Sequence, residues 1–250
     1  GWTRHFESFH FTEEGWFGRG TYAGGADKVS HLVLYNILAR ELRIGYERMG
    51  YETDRAYAMG FGVALAGGLI VELGDGIAIF GFSWEDLLTD AIGAGSAVLI
   101  SRSGLDDLVG FRFGPVPSKT PPACCRLNKE GKDYSKEIYT ADIKLAGAAK
   151  RLGWGIGPAR FLYLSMTYGS KGYKFSYPEF RQRDIGVELG VNFTEILTAA
   201  GVRDTTWWGR PLFIFFNSVR LPFTAIGYRY DLNHHRWHGP DSGEKYEPGP

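Results

Sequence analysis

Acidic and basic side chains recur where the apolar helical segments of the first half of the chain begin or end. Asp27 and His31 lie four positions apart and therefore share a helix face, as do Asp86 and Asp90. Small residues along the same segments would let the helices pack closely, and we expect this packing to bring the polar side chains together. The predicted cluster contains Asp27, Lys28, His31, Glu72, Asp75, Asp86 and Asp90.

Two kinds of chemistry would suit such a cluster. His31 could act as a general base oriented by Asp27 or Glu72, because the pKa of an unperturbed histidine lies near neutrality. Alternatively, His31 could ligate a divalent metal together with the carboxylates of Glu72, Asp86 and Asp90. If the cluster is catalytic, we expect its catalytic residues to be His31, Glu72, Asp86 and Asp90.

A structural interpretation competes with both, and it is the one that we favour. Asp27 and Asp86 are suited to cap the starts of helices. Lys28 would pair with an acid, because an unpaired buried charge is costly. In this interpretation Asp27, Lys28 and Asp75 belong to a polar network, and we assign no metal and expect no cofactor.

Three helices must position these residues. The first begins at Asp27, with apolar residues at helical spacing after it. The third begins at Ser83, which has capping-box spacing from Asp86, and ends near Arg102. The second covers residues 55–73 and carries small residues at every fourth position in two rows, namely Gly60, Ala64 and Gly68, and Ala58, Gly62 and Ala66.

The uncharged stretches are too short for an apolar span. The longest stretch without a charged residue or histidine is residues 56–71, which is sixteen positions. A membrane-spanning helix needs about 20 apolar residues, and a longer helix through Glu72 would bury an acid. We therefore expect short helices that pack together and sit in one leaflet at most.

The second half of the chain shows the alternation of β strands. Residues 194–200 look like a short helix, and residues 211–219 form an apolar segment of undetermined type. Residues 103–136 look irregular, because prolines and a charged run interrupt them. Three segments alternate with a period of two and predict antiparallel strands: residues 161–168, 185–191 and 223–232.

These patterns predict an α+β fold, with a small-residue-rich bundle of about three helices followed by an antiparallel strand-rich unit. The chain begins at Gly1, and we expect a leader to have preceded it. The predicted divisions are an aromatic lead-in at 1–26, a helical unit at 27–120, a linker at 121–136, a strand-rich unit at 137–233 and an extended tail at 234–250.

Composition narrows the class of partner. The 28 basic and 28 acidic residues give no net charge, which argues against nucleic-acid binding. The aromatic content of 15% suits an interface with a membrane or a protein, or an aromatic-rich β core.

Adjacent Cys124 and Cys125 predict no disulfide framework. His234, His235 and His238 are a weak metal candidate in the tail.

A longer pattern joins the polar residues. Gly24-Gly25-Ala26-Asp27-Lys28-x-x-His31 precedes Glu72 and Gly81-Phe82-Ser83-Trp84-x-Asp86-Leu87-x-x-Asp90-x-x-Gly93. With Glu14-Gly15-Trp16-Phe17-Gly18 upstream, and Leu105-Asp106-Asp107-Leu108 and Asp133-Tyr134-Ser135 downstream, this pattern resembles the YfiM-type predicted periplasmic lipoproteins, a family of unknown function. The resemblance spans roughly residues 10–195. It implies the bacterial cell envelope and the periplasmic face of a membrane, with the outer membrane favoured.

The Asp-Lys-x-x-His and Asp-x-x-x-Asp motifs also resemble those of the VanZ-like membrane proteins, which are linked to glycopeptide resistance. Those proteins usually have Asn at the position of Asp90 and have clearer membrane-spanning helices. This departure argues against full membrane insertion of the present chain.

Three functions are consistent with these observations. We favour a structural or accessory subunit of a membrane complex, which would contact membrane lipid and partner proteins but no nucleic acid. The second is a membrane-surface enzyme that acts on a lipid or cell-wall precursor through His31 and the clustered carboxylates. The third is a carrier of a lipid or small ligand, built on the strand-rich unit.

Overall fold

Three long helices and then six strands follow one another along the chain, which confirms the predicted α+β fold. The computed structural model describes residues 7–117, 132–174 and 178–239. They divide into a helical unit that ends at Arg102 and a sheet unit that begins at Ser103, with Lys132 grouped with the helices.

The three helices are α1 (Ala26–Arg48), α2 (Thr53–Gly76) and α3 (Trp84–Arg102). The helix α2 extends beyond the predicted range 55–73 at both ends. Within the described part of the chain, α2 is the one helix whose length and composition would allow it to cross a membrane, and 33% of its most apolar stretch is buried.

Small residues allow the three long helices to pack closely. A Cβ atom added at Gly93 of α3 would lie 2.3 Å from the carbonyl oxygen of Leu32 in α1, and one at Gly60 of α2 would lie 2.9 Å from that of Ala39. The row of Gly60, Ala64 and Gly68 is buried, whereas the second predicted row faces outward. Four buried alanines fill the centre of the bundle: Ala39, Ala64, Ala94 and Ala97.

The starts of α1 and α3 are formed differently. The residue preceding α1 is Gly25, which has a left-handed φ of 88°, so the predicted cap at Asp27 is wrong. Asp27 lies inside the first turn and directs its carboxylate to Lys28. At α3 the predicted cap is confirmed, since Ser83 Oγ accepts a hydrogen bond from the backbone N–H of Asp86 at 3.3 Å.

The sheet unit is built on one antiparallel sheet in which each strand pairs with the next in chain order. Three shorter helices connect or follow the strands: α4 (Leu145–Leu152), α5 (Phe193–Ala199) and α6 (Gly209–Ser218). The strands are β1 (Val109–Pro115), β2 (Glu137–Lys144), β3 (Leu162–Lys171), β4 (Gln182–Val191), β5 (Ala225–Asp231) and β6 (Arg236–His238).

The structure confirms the three predicted strands and the helix near residue 194, and it identifies the undetermined segment as α6. One prediction is wrong. The segment 103–136 contains β1, whose alternation is obscured because glycine and arginine occupy every second position. Within the predicted tail, β6 pairs with β5. Cys124, Cys125 and residues 240–250 lie outside the described residues.

Candidate functional site

The ends of the three long helices bring together a group of charged side chains at one end of the helical unit. The residues come from the first turns of α1 and α3, the last turns of α2, and the segment that precedes α1. We call this group the ionic cluster, and it consists of Glu14, Asp27, Lys28, His31, Glu72, Asp86 and Asp90.

Lys28 occupies the centre of the ionic cluster. Its side chain is 1% exposed, and its ammonium donates to Glu14, to Asp27 Oδ2 at 3.0 Å and to Asp86 Oδ1 at 2.5 Å. Burial alone would lower the pKa of Lys28, but the three carboxylates raise it above its ordinary value. The lysine therefore stays charged, and it links the lead-in, α1 and α3.

His31 lies one turn after Asp27 on the same face of α1. Its Nδ1 lies 2.7 Å from Asp90 Oδ1, and its Nε2 lies 3.8 Å from Asp27 Oδ1 and 3.9 Å from Asp86 Oδ1. The ring is stacked against Tyr35, and its side chain is 20% exposed. Burial lowers the pKa of His31, yet the hydrogen bond to Asp90 and the neighbouring carboxylates raise it to about 9.

Asp90 is fully buried and contacts two helices. One carboxylate oxygen pairs with His31. The other, Oδ2, accepts no hydrogen bond from the described part of the chain, and it lies where a Cβ atom on Gly68 of α2 would be 2.4 Å away. Burial raises the pKa of Asp90, while the hydrogen bond from His31 lowers it, and the net shift is upward.

Glu72 connects α2 to the turn that leads into α3. Its Oε2 accepts a hydrogen bond from the backbone N–H of Ser83 at 3.0 Å. Burial raises the pKa of Glu72 to about 7, against the lowering effect of this hydrogen bond. Asp75, one turn further along α2, also has a raised pKa, mainly because it is partly buried. Both acids close the α2–α3 turn.

Negative charge exceeds positive charge in this site. The two cationic side chains are those of Lys28 and His31, and six carboxylates surround them: Glu14, Asp27, Glu72, Glu85, Asp86 and Asp90. The excess appears in the titration of Glu14, whose pKa is raised to about 8 by burial and by Asp27 and Asp86, against the effect of Lys28. At neutral pH the arrangement therefore retains a proton on a carboxyl group in addition to the one on His31.

The sequence did not predict Glu14 or Glu85 as members of the site. Glu14 reaches Lys28 because the lead-in reverses its direction before α1, at Gly24 and Gly25, which both have positive φ. Glu85 accepts hydrogen bonds from Gly15 N at 3.4 Å and from Ser83 Oγ at 3.3 Å. The available signal was the pair of glycines, because a tight turn there would fold the acidic lead-in back along the helix.

The predicted metal set is only partly assembled. Asp27, His31 and Asp86 each offer a ligand atom within 4.8 Å of the others, whereas Glu72 and Asp90 of the predicted set are not in this group. Lys28 already places its ammonium against both aspartates. A divalent ion would have to compete with this fixed positive charge, so the three residues are better suited to holding protons than to holding a metal.

The histidines of the predicted tail do not form a common site. His234 pairs with Asp231 at 2.6 Å, and His238 lies 3.1 Å from Asp184. His235 lies 3.1 Å from the hydroxyl of Tyr230. Their rings therefore serve separate contacts within the sheet unit.

Comparison with known proteins gave one family match. Residues 13–102 match the model of the family described as predicted periplasmic lipoprotein (DUF2279). Neither the curated proteins nor the solved structures gave a significant match. The matched range contains the whole ionic cluster but ends well before residue 195, and the VanZ-like resemblance stays a prediction. Over residues 13–102 the chain is therefore similar to predicted periplasmic lipoproteins, which supports a periplasmic location in the cell envelope.

Proposed function

We propose that the chain is a non-catalytic, membrane-associated component of the bacterial cell envelope, and that its helical unit docks as an accessory subunit on a membrane protein complex. The observation that carries this proposal is the exposed apolar surface of α2. The ionic cluster supports it, because buried ion pairs of this kind hold the helix ends together.

The helix α2 packs against its neighbours through one narrow stripe. Its buried residues recur at every fourth position, from Ala56 through Gly60 to Gly76. The remaining surface is apolar, and Ile70 is 69% exposed. A helix that is apolar on nearly all sides is stable when other apolar groups cover it. Further exposed apolar residues of α2 are Val63, Leu69, Val71 and Leu73.

A membrane protein is the partner that we propose for this surface. The exposed side of α2 carries the second predicted row of small residues, Ala58, Gly62 and Ala66. Such rows allow another helix to approach the backbone of α2 closely. No atom lies within 4 Å of a Cβ added at Gly62, so this row is open to a partner helix.

Photo-cross-linking in living cells tests the proposal. A benzoylphenylalanine at Ile70 of the full-length chain is expected to give one discrete protein adduct in the envelope fraction. The matched control is Asp54, near the start of the same helix, whose side chain is 88% exposed but polar. The proposal would be wrong if Ile70 gave no protein adduct, or gave the same adducts as Asp54.

A specific observation also favours a second candidate, a membrane-surface enzyme acting on a lipid or cell-wall precursor. His31 is oriented by Asp90 and keeps part of its ring accessible, as a general acid or base requires. Complementation of a deletion strain separates the candidates. His31→Gln is expected to restore envelope function if the cluster is structural. Loss of function in a variant that remains folded and abundant would favour the enzyme.

A further inference from the structure

The six-stranded sheet has its polarity reversed relative to an ordinary water-soluble sheet. Its buried face carries charged side chains, and its exposed face carries apolar ones. Arg112, Asp142 and Glu188 are each at most 3% exposed, whereas Met166 and Ile226 are 71% and 73% exposed. Successive residues of a strand point to opposite faces, so this reversal follows the strands residue by residue.

The buried face is held together by ion pairs between strands. Asp142 of β2 accepts from Arg112 Nε of β1 at 2.6 Å and from Ser165 Oγ of β3 at 2.6 Å. Glu188 of β4 accepts from Arg220 Nε at 2.6 Å, and Arg229 of β5 lies 3.5 Å away. These charges partner one another inside the unit.

The outward face is organised in rows that cross the strands. One row passes from strand to strand through directly paired residues, and five of its six members are aromatic. Its members, from β1 to β6, are Phe113, Tyr139, Tyr168, Ile185, Tyr230 and Trp237. The row crosses the entire width of the sheet, and its exposure varies along it, because Trp237 of β6 is 69% exposed whereas Tyr139 of β2 is 1% exposed.

Different residues lie on the two sides of this aromatic row. On one side are the polar residues Glu137, Ser170 and Arg183. Glu137 and Arg183 are partly exposed, whereas Ser170, which is paired with Arg183 across β3 and β4, is 1% exposed. On the other side, the next row is apolar apart from the hydroxyl of its last member, and it consists of Phe111, Ala141, Met166, Val187 and Tyr228. The row after that is Val109, Ile143, Leu164, Leu189 and Ile226. Polarity therefore changes in one direction along the strands.

We infer that this outward face contacts the hydrocarbon of a lipid bilayer, with the aromatic row at the level of the headgroups. A sequence of polar rim, aromatic belt and apolar band is what a membrane interface selects. A protein partner would not require that order. The inference is independent of how the helical unit docks.

Fluorescence quenching by brominated lipids tests this contact. The full-length chain carries Cys124→Ser and Cys125→Ser, and a single cysteine at Met166 or Val187 is labelled with the environment-sensitive dye NBD. Each protein is reconstituted into phosphatidylcholine vesicles with ordinary or brominated acyl chains. Lys150→Cys in α4 is the matched control, because its side chain is 79% exposed and polar.

Bromination is expected to remove roughly half of the NBD fluorescence at both sheet positions and to leave the signal at position 150 unchanged. Two sheet positions guard against the failure of one variant to fold. Equal quenching at positions 166, 187 and 150 would overturn the inference. A second result would also overturn the inference. If the two sheet probes were shielded from aqueous iodide in native membranes but were not quenched by brominated lipid, a protein rather than lipid would cover this face.

Discussion

His31 Nδ1 lies 2.7 Å from Asp90 Oδ1, although the two residues are 59 positions apart and belong to different helices. This contact joins the first turns of α1 and α3 and is partly accessible through the imidazole edge. It makes the titration of His31 a direct report on whether the ends of the two helices are in place.

The pKa of His31 is the first prediction. Nuclear magnetic resonance titration of the ring should give a pKa of about 9 in the native protein. Asp90→Asn should lower this pKa, because it removes the charge-assisted hydrogen bond while keeping the shape of the side chain. Asp54→Asn, at the distant end of α2, should leave it unchanged. An unshifted pKa near 6.5 in the wild-type chain would contradict the geometry.

Stability is predicted to fall as the pH rises. The folded-state pKa of His31 is raised from 6.5 to about 9, so its stabilising contribution is complete below pH 6.5 and is lost as the pH passes 9. Its full size is on the order of 3 kcal/mol. Glu72, with a pKa raised from 4.5 to about 7, acts in the same direction at lower pH, because folding becomes less favourable once this buried acid must ionise.

Urea unfolding at a series of pH values measures this trend. His31→Gln should remove the part of this decrease that His31 contributes between about pH 6.5 and pH 9. The part contributed by Glu14 and Glu72, whose pKa values are raised to about 8 and about 7, should persist in this variant. A native protein that became more stable between pH 6 and pH 9 would exclude the proposed charge state.

Lys28→Met is predicted to lower the unfolding free energy by about 3–5 kcal/mol, because it leaves three buried acids without their shared cation. The matched control is Asp54→Asn, which breaks the exposed ion pair with Arg102 and should cost at most about 1 kcal/mol. Chemical denaturation measures both. Equal effects would mean that the Lys28 network is not a main support of the bundle.

The two glycines Gly93 and Gly62 should respond in opposite directions to alanine. Gly93→Ala places a Cβ atom against the backbone of Leu32 and should destabilise the protein by about 1–3 kcal/mol. Gly62→Ala meets no atom within 4 Å and should stabilise α2 by about 1 kcal/mol. Thermal melts of the two variants check this contrast. If both substitutions stabilised the protein, α1 and α3 would not be in backbone contact.

The buried pair in the sheet unit gives the fifth prediction. Asp142→Ala leaves Arg112 without its carboxylate partner in a buried position and should cost about 3–5 kcal/mol. Asp107→Ala removes an ion pair with Arg151 at a position that is 42% exposed and should cost at most about 1 kcal/mol. Denaturation monitored by β-sheet circular dichroism compares them. A small effect of Asp142→Ala would show that the inner face of the sheet is hydrated.

The gathering of the helix ends could be predicted because it follows from local patterns. The i, i+4 spacings of Asp27 with His31 and of Asp86 with Asp90 fix their faces. The sequence predicted two rows of small residues on α2, but it did not indicate that the row at Gly60 is the packed one. Membership of Glu14 could not be predicted in this way. Its contact with Lys28 depends on the reversal of the chain before α1, which no periodicity encodes.

The reversed polarity of the sheet was less accessible from sequence. The alternation around Glu188 predicts a strand, but it does not say which face is buried. In an ordinary strand, Asp142, Glu188 and Arg229 would be assigned to solvent. Their burial depends on partners such as Arg220, which lies outside the strands, and on the curvature of the whole sheet. These are long-range features, and single-strand patterns carry no information about them.

The threading of the lead-in against α1 has a consequence for the order in which the native state is assembled. Glu14 and Asp27 precede or adjoin Lys28 in the chain, whereas Asp86 lies 58 positions later. During synthesis from the amino terminus, Lys28 can therefore pair with Glu14 and Asp27 as soon as α1 has formed. Asp86 becomes available only after α3 has been made. Until that helix forms, Asp90 is also missing, and His31 lacks the carboxylate that accepts its hydrogen bond in the native state.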